Sequence, residues 1–384
     1  MSVPTQPPAS PPTPQLTEPP FRADHVGSLL RPPALLAARE AHARGELSSA
    51  DLRGVEDEAI TTVVALQEDI GLRAATDGEF RRTSWHMDFI YQLGGIQKTD
   101  EQLQIRMHNR SGEKSFTTAA MAVLAPVRLE HTIFGADFEY LASQVRTSVP
   151  KLTIPSPSMV HYRSGTAAID RSVYPDVEEF WNDLAAAYAD EVRAVGELGC
   201  RYLQVDDTSL AYLNDPAQRA MMAERGEDAE HQHLRYIQLI NGALAGRPPG
   251  MRVTTHMCRG NYRSSWAAEG GYDFVAEALF GELNVDGFFC EFDDERSGGF
   301  EPLRFVPPSK RVVLGLVTSK RPELESKDLL KRRVEEASKY VPLEQLCLSP
   351  QCGFSSTVEG NALSLDEQVA KLRLVVETAE EIWG

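Results

Sequence analysis

Short apolar runs that suit β-strands alternate along this chain with longer stretches that suit amphipathic helices, and this alternation restricts the possible folds more than any other feature. Strands that are each followed by a helix pair in parallel, because the helix returns the chain to the starting edge of the sheet. Eight such units predict an α/β fold that closes as a (β/α)₈ TIM barrel, and an open doubly wound sheet is the alternative. The eight predicted strands are residues 24–28, 73–77, 151–154, 202–205, 252–255, 287–290, 311–316 and 345–348.

The helical stretches repeat apolar residues at intervals of three and four, which places them on one buried face. In the last stretch, Ser364 and Glu367 stand three residues apart, as in the capping box that begins many helices. That helix is therefore expected to start just after Ser364. The predicted helices are residues 50–70, 176–198, 228–244, 327–340 and 365–382.

Two segments interrupt the alternation. Residues 1–20 hold eight of the 24 prolines and no basic residue, which predicts a disordered proline-rich tail rather than a signal peptide. Residues 104–145 do not fit a strand–helix unit, and their central part, MAVLAPVRLEHTIFGADFEYLA, predicts a β-hairpin inserted before the third strand. We therefore expect one catalytic barrel over residues 21–384.

The composition excludes several classes of protein. The chain has 39 basic and 56 acidic residues, and the resulting net charge of −17 repels the phosphates of nucleic acids. No apolar run approaches the roughly 18 residues that a membrane helix needs. Five cysteines are too few for a disulfide framework and suit a reducing compartment. We therefore expect a cytoplasmic protein whose partners are small molecules, not nucleic acids or membranes.

Barrel enzymes carry their active sites at the carboxyl ends of the strands, so the residues that follow each strand are the candidates. The segments after strands five, six and eight contain His256 with Cys258, Glu291 and Cys352. Cysteine, histidine and one carboxylate are typical ligands of tetrahedral zinc. In the alternative interpretation His256 is a hydrogen-bonded core residue and the two cysteines are small buried hydrophobic residues. The pattern alone leaves both interpretations open.

The other strand ends carry polar side chains that suit an amino acid substrate. Carboxylates attract a substrate ammonium group, and a hydroxyl with nearby backbone N–H groups suits a substrate carboxylate. Alternatively, the carboxylates pair with neighbouring arginines such as Arg81 or Arg82. The residues at these strand ends are Ser28, Glu79, Ser156, Asp206 and Thr318.

Several motifs resemble segments of the cobalamin-independent methionine synthase family, and they occur here in the same order. THMCRGN, FFCEFDDERSG and LSPQCGF are similar to the zinc-binding segments of the family's C-terminal barrel. DHVGSLLRP, DGEFRR, QVDD and GLVTSKRPELE add to the resemblance, which extends from about residue 21 to the end. The chain is most similar to the short, single-barrel members of that family.

The resemblance implies a zinc enzyme that methylates the thiol of homocysteine. It assigns Ser28, Glu79 and Asp206 to the amino acid part of the substrate. Coordination to Zn²⁺ deprotonates a thiol and leaves its sulfur nucleophilic, which agrees with that reaction. The Zn²⁺ ligands that the resemblance implies are His256, Cys258, Glu291 and Cys352.

The chain departs from the full-length family pattern on the side of the methyl donor. It is about half as long and lacks the N-terminal barrel. The family's D-x-H-S segment, whose histidine is thought to shuttle a proton, is here Thr318-Ser319-Lys320. The segment IPSPSMVHY replaces one that carries a folate-stacking tryptophan, and His161 or Tyr162 is the nearest substitute. These differences argue against folate as the donor.

We therefore predict a zinc-dependent homocysteine S-methyltransferase that acts as a monomer or homodimer. Its donor would be a methyl-corrinoid, carried by a corrinoid protein, or a sulfonium compound. One alternative is a zinc-dependent thiol alkyltransferase or lyase of the epoxyalkane:coenzyme M transferase type, and another is a non-catalytic barrel that binds zinc and thiols. Glu79, Asp206 and Lys320 would be catalytic, and Ser156 and His161 would join the substrate-binding residues.

Overall fold

The computed structural model describes residues 17–109 and 112–384 of the chain. The strands are β1 (Ala74–Ala75), β2 (Gly94–Asn109), β3 (Gly112–Arg128), β4 (Val149–Pro155), β5 (Tyr202–Asp207), β6 (Arg252–Met257), β7 (Gly287–Glu291), β8 (Arg311–Val317) and β9 (Leu346–Pro350). The α-helices are α1 (Pro33–Ala43), α2 (Ser49–Ile70), α3 (Met87–Ile90), α4 (Gly135–Gln144), α5 (Met159–Tyr162), α6 (Val177–Glu197), α7 (Ser209–Tyr212), α8 (Pro216–Glu224), α9 (Gln232–Ala243), α10 (Ala276–Glu282), α11 (Lys327–Ala337) and α12 (Leu365–Trp383).

Seven strands form one parallel sheet in the order β1-β4-β5-β6-β7-β8-β9. Extended backbone at Ala23 adds an eighth position, because it pairs in parallel with Leu348 of β9. The Asp24 N–H donates to Leu348 O at 3.0 Å, and the Leu348 N–H donates to Arg22 O at 2.8 Å. On the other side, His25 Nε2 lies 3.3 Å from Ala74 O of β1. The predicted α/β barrel fold is therefore confirmed.

The first two predicted strands are shorter than expected. Residues 24–28 do not form the predicted strand, because the chain turns at Gly27, whose φ is +144°. A Cβ at this position would lie 2.7 Å from Thr153 Cγ2, so the turn requires glycine. β1 ends after two residues because the Gln67 side chain, and not a neighbouring strand, forms hydrogen bonds with the backbone of the next residue, Thr76. The Gln67 side chain accepts from the Thr76 N–H at 3.0 Å and donates to Thr76 O at 2.9 Å.

All five predicted helices are present, as α2, α6, α9, α11 and α12. The capping box at the start of α12 is confirmed: Ser364 Oγ accepts from the Glu367 N–H at 3.2 Å, and Glu367 Oε2 accepts from the Ser364 N–H at 2.7 Å. Among residues 17–109 and 112–384, no helix combines the length and the apolar character needed to cross a membrane.

The insertion before β4 differs in extent from the prediction. β2 and β3 pair antiparallel from Gly94 and Arg128 to the turn, so the hairpin begins before residue 104. The second half of the predicted hairpin sequence is instead helix α4, in which Phe138 and Leu141 are buried against the barrel. Two backbone hydrogen bonds between His108 and Trp266, of 2.6 and 2.8 Å, fasten the hairpin to the segment after β6.

The chain is already packed before residue 21. Pro19 and Pro20 are buried at the amino ends of the strands, where the first residue of β8, Arg311, donates to Glu18 O at 2.7 Å and to Pro20 O at 3.0 Å. Arg252, the first residue of β6, forms an ion pair with Glu18. The predicted disordered tail otherwise falls on residues 1–16, which lie outside the described residues.

Candidate metal centre and adjoining cavity

Four potential metal ligands converge at the carboxyl ends of three strands. His256 lies in β6 and Cys258 directly follows it, Glu291 is the last residue of β7, and Cys352 lies two residues after β9. One ligand atom from each residue lies within 4.8 Å of all the others. All four residues are buried, so few other polar groups compete for these atoms. The structure thus brings together the residues that the strand ends indicated.

The spacing of these atoms fits a tetrahedral ion. Cys258 Sγ and Cys352 Sγ are 3.5 Å apart. Zinc–sulfur bonds of about 2.3 Å in tetrahedral geometry place two thiolates about 3.8 Å apart, so a small side-chain adjustment suffices. Two sulfurs, one imidazole and one carboxylate are also the donor types that zinc binds most often.

The two cysteines differ in acidity. A hydrogen bond from the Cys258 thiol lowers the pKa of Cys352 well below its ordinary value, and His256 lowers it further. The same hydrogen bond, together with burial, raises the pKa of Cys258 well above its ordinary value. The surroundings therefore favour the thiolate form of Cys352, which is the form in which a cysteine binds a metal ion.

The residues around the cluster orient its members. His256 Nδ1 lies 3.5 Å from Asp206 Oδ1, its neighbour in the register of β5 and β6, and Nε2 lies 3.3 Å from Gln351 O. Gln351 directly precedes Cys352, so Nε2 lies on the side of the ring that is closer to the cluster. Glu291 accepts from the Arg259 N–H at 3.0 Å and from the Arg296 guanidinium at 3.3 Å. Such contacts fix the ring orientation and the carboxylate position that a metal ion requires.

The charge of the cluster is balanced by three nearby cations. Burial raises the pKa of Glu291, but Lys320, Arg296 and Arg259 lower it more, and the net pKa lies below the ordinary value. The carboxylate is therefore ionised at neutral pH, as a metal ligand must be.

A cavity of about 360 Å³ adjoins the cluster and is lined by His256, Cys258 and Cys352. Two carboxylates, Glu79 and Asp206, line it as well. The buried Glu79 accepts from Thr153 Oγ1 at 2.8 Å and has an unusual backbone φ of +60°. For a residue with a side chain this conformation costs about 1–3 kcal/mol, a strain typical of functional sites.

The acidity of Glu79 reflects its position. Burial raises its pKa, Arg82 lowers it, and the nearby Asp206 carboxylate raises it again, so that the pKa is about 7. Neighbouring arginines do not neutralise the pair fully: Arg82 lies 3.5 Å from Glu79 but donates at shorter distances to Thr153, and Arg81 pairs with Asp57. A cationic group in the cavity would find an excess of negative charge.

Ser28 also lines the cavity and packs closely against the loop that carries Cys352. A Cβ added at Gly353 would lie 1.9 Å from Ser28 Oγ, so only glycine permits this approach. Ser28, Glu79 and Asp206 thus lie around the same cavity as the cysteines, which is the arrangement that the sequence predicted. Their binding roles remain predictions.

Three other predicted site residues do not line the cavity. Ser156 Oγ lies 2.7 Å from Ser158 Oγ inside the wall. His161 is buried behind it, with Nδ1 2.9 Å from Tyr236 Oη and Nε2 3.3 Å from Thr166 Oγ1. Because both ring nitrogens are engaged and the residue does not line the cavity, this position of His161 does not support the predicted contact with the donor, which stays a prediction.

Lys320 lies next to the metal cluster instead of in the cavity. Its Nζ donates to Gly260 O at 3.3 Å and to Asn261 Oδ1 at 3.4 Å. Its charge helps to lower the pKa of both Glu291 and Cys352. The position therefore suits charge balance at the cluster better than contact with a methyl donor.

The sequence interpretation missed a second set of cavity residues. They come from the segment after the motif DGEFRR, from the inserted hairpin and from the segments that follow β4 and β5. Only the closeness of an SWHM sequence to DGEFRR could have drawn attention to them. The set comprises Trp85, His86, Met87, Tyr91, Lys98, Ile105, Met107, Arg163 and Tyr212.

Comparison with known proteins places this arrangement in a family. A family model described as the catalytic domain of cobalamin-independent synthases matches residues 21–381. The chain is 46% identical over 367 residues to the uncharacterized protein YxjH of Bacillus subtilis, and the match covers 95% of each protein. It is 23% identical over 350 residues to the methionine synthase of Pyrococcus horikoshii, covering 91% of this chain and 88% of that protein.

A solved structure agrees with these matches. The crystal structure of a Listeria monocytogenes protein, described as a candidate vitamin-B12-independent methionine synthase, is 39% identical to this chain. The two folds superpose with a TM-score of 0.76, and the match covers 96% of this chain and 100% of the other.

Proposed function

Because the chain belongs to the family of cobalamin-independent synthase catalytic domains, we propose that it transfers a methyl group to the thiol of homocysteine and forms methionine. One observation carries this proposal: four zinc-type ligands within 4.8 Å of one another adjoin a cavity that also presents two carboxylates. The ligands suit a thiol, and the carboxylates suit the ammonium group of the same amino acid.

His256, Cys258, Glu291 and Cys352 would hold the zinc ion. Bound there, zinc would stabilise the substrate thiol as a thiolate and keep its sulfur nucleophilic. Asp206 would hold the imidazole through Nδ1, and Arg296 would hold Glu291, so that the ligands keep their orientation when a substrate enters.

Glu79 and Asp206 would bind the ammonium group of homocysteine, and Ser28 would bind its carboxylate. Fixing both ends of the amino acid aims its side chain at the cysteine ligands and lowers the entropy cost of the reaction. Binding of the ammonium group would also keep Glu79 ionised, although its pKa in the empty cavity is about 7.

We infer that the methyl donor is not a folate. A methylated tertiary amine leaves only after protonation, which requires an acid close to the donor. Lys320, which occupies the position of the family's histidine, does not line the cavity, and its Nζ donates to Gly260 O and Asn261 Oδ1. The acidic residues that line the cavity would also repel a polyglutamate tail: Glu79, Asp88, Asp206 and Glu359.

The test is turnover by the zinc-loaded protein with homocysteine and three donors in parallel: methylcobalamin, S-methylmethionine and methyltetrahydropteroyl-triglutamate. We expect methionine from at least one of the first two donors, at a rate at least tenfold above that with the folate. Comparable methylation from the folate would contradict the donor inference. A clear preference for coenzyme M over homocysteine would favour the alkyltransferase alternative, and thiol binding without product would favour a binding protein.

A further inference from the structure

One histidine in the cavity wall has a buried nitrogen that is not used. His86 is 6% exposed and lines the cavity. Its Nδ1 lies 3.1 Å from Ser84 Oγ, whereas its Nε2 has no hydrogen-bond partner among the described residues. Buried polar atoms are normally paired, so an unpaired nitrogen in a cavity wall indicates a ligand that binds there.

The surroundings of His86 determine which nitrogen carries the proton. Ser84 Oγ accepts from the Met87 N–H at 3.3 Å, which leaves its own hydroxyl hydrogen available to donate to His86 Nδ1 at 3.1 Å. Burial and the nearby Arg163 guanidinium lower the pKa of His86 well below its ordinary value, so the ring is neutral. In a neutral imidazole whose Nδ1 accepts, Nε2 carries the hydrogen and is a donor.

Arg163 supplies a second donor to the same part of the cavity. It lines the cavity, and its Nε is buried without a hydrogen-bond partner among the described residues. The Trp85 ring lies beside the imidazole of His86, with the ring centroids 4.5 Å apart. Tyr91 Oη is likewise buried and without a partner in the described part of the chain. A cation and a neutral N–H donor beside an aromatic face suit a carboxylate on a small organic molecule.

We propose that Trp85, His86 and Arg163 form the binding subsite for the methyl donor and select a small donor that carries a carboxylate. Glu79 and Asp206, whose charge suits an ammonium group, line the same cavity and would hold the other substrate. This inference rests on the proposed function, because it assigns the second substrate of the same cavity. The cavity volume of about 360 Å³, which both substrates share, favours a small donor.

Binding of two sulfonium compounds tests the subsite without turnover. Dimethylsulfoniopropionate carries a carboxylate and trimethylsulfonium carries none. Calorimetry with the zinc-loaded full chain and no added thiol should show at least tenfold tighter binding of dimethylsulfoniopropionate. His86→Leu and Arg163→Met should each reduce that preference about tenfold. His86→Gln, whose amide can replace the Nε2 donor, should retain it within about threefold.

The control is His131→Leu, which removes an exposed histidine outside the cavity and should change neither affinity. Zinc content and circular dichroism identify variants that fail to fold, and Arg163→Met carries the test if His86→Leu is among them. Equal affinity of the wild type for the two compounds would overturn the proposal, as would an equal loss for both in a folded His86→Leu protein. Because no methyl transfer is involved, these results are independent of whether methionine is formed.

Discussion

Charged groups are buried at both ends of the barrel, but they are paired differently at the two ends. There, Lys151 Nζ donates to Asp24 Oδ1 at 3.2 Å and to His25 O at 2.5 Å, and Tyr202 Oη donates to Asp24 Oδ2 at 2.8 Å. Each charge meets an opposite charge or a hydrogen bond. This arrangement forms a network in which the buried charges pair with one another.

At the carboxyl ends of the strands, which we call the mouth of the barrel, buried groups lie beside groups of the same kind. Two cysteines, a carboxylate and a histidine converge within 4.8 Å, and Glu79 stands beside Asp206. Glu79 and Asp206 are like charges that raise each other's cost, and the two thiols share a single contact, so a cation from outside would stabilise both pairs. The difference shows that burial alone does not mark a functional residue; convergence without mutual neutralisation does. We therefore expect changes at the amino end to affect stability and changes at the mouth to affect binding.

The largest effect is expected from Lys151→Met. The substitution leaves the Asp24 carboxylate buried and unpaired, and breaking a buried ion pair in this way lowers the free energy of unfolding by about 3–5 kcal/mol. Denaturant unfolding measures the loss, and the zinc content of the folded fraction should not change. Lys331→Met, which removes an ion pair with Glu381 at the surface, is the control and should cost less than about 1 kcal/mol. Equal losses in the two variants would contradict the distinction between the two ends.

Cys352→Ser should have the next largest effect, and on function instead of stability. The variant loses the Cys352 thiolate, so zinc affinity and methyl transfer should each fall by more than about 100-fold, since even residues behind the ligands contribute 10- to 100-fold. The unfolding free energy of the metal-free protein should change by less than about 1 kcal/mol. Cys200→Ala, at a buried thiol remote from the cluster, should leave zinc content unaltered. Normal zinc content in both Cys258→Ser and Cys352→Ser would refute the metal site.

The metal ligands could be predicted from the sequence more reliably than the other residues of the cavity. The metal ligands could be predicted because parallel strands end at the same face, so His256, Glu291 and Cys352 had to meet whatever the details of packing. His161 and Lys320 were assigned by position in a motif, yet a few degrees of backbone rotation decide whether such a side chain faces the cavity or the wall. The cavity residues of the inserted hairpin, Lys98, Ile105 and Met107, could not be predicted, because the periodicity of strands and helices does not indicate where an insertion packs.

Glu79→Gln and Asp206→Asn distinguish residues that bind only the substrate from residues that also support the metal site. Each removes a charge-assisted hydrogen bond, so each should weaken binding of homocysteine by about 1.5–3 kcal/mol, measured as apparent affinity. Asp206 also contacts His256 Nδ1 at 3.5 Å, so Asp206→Asn alone should lower zinc affinity, by about 10- to 100-fold. Unchanged homocysteine affinity in both variants would mean that the thiol substrate carries no ammonium group at this place.

The last expected effect is a gain in stability from Glu79→Gln, and it depends on pH. The pKa of Glu79 is about 7 in the folded protein, because burial disfavours the charged form, whereas the ordinary pKa of a glutamate is 4.5. The folded state therefore holds its proton more tightly, and this contribution to stability is complete below about pH 4.5 and lost as the pH rises through 7. Glutamine resembles the protonated form at every pH and avoids that loss.

The free energy of unfolding of the metal-free Glu79→Gln variant should therefore exceed that of the wild type by less than about 1 kcal/mol near pH 5 and by about 3 kcal/mol at pH 8. Parallel denaturant titrations at the two pH values measure the difference. Glu58→Gln, at an exposed position of α2, should show no such dependence. A variant that gains stability while losing affinity for homocysteine would show that the mouth keeps an unfavourable charge because the substrate needs it. A pH-independent difference would instead place Glu79 with the paired charges of the amino end.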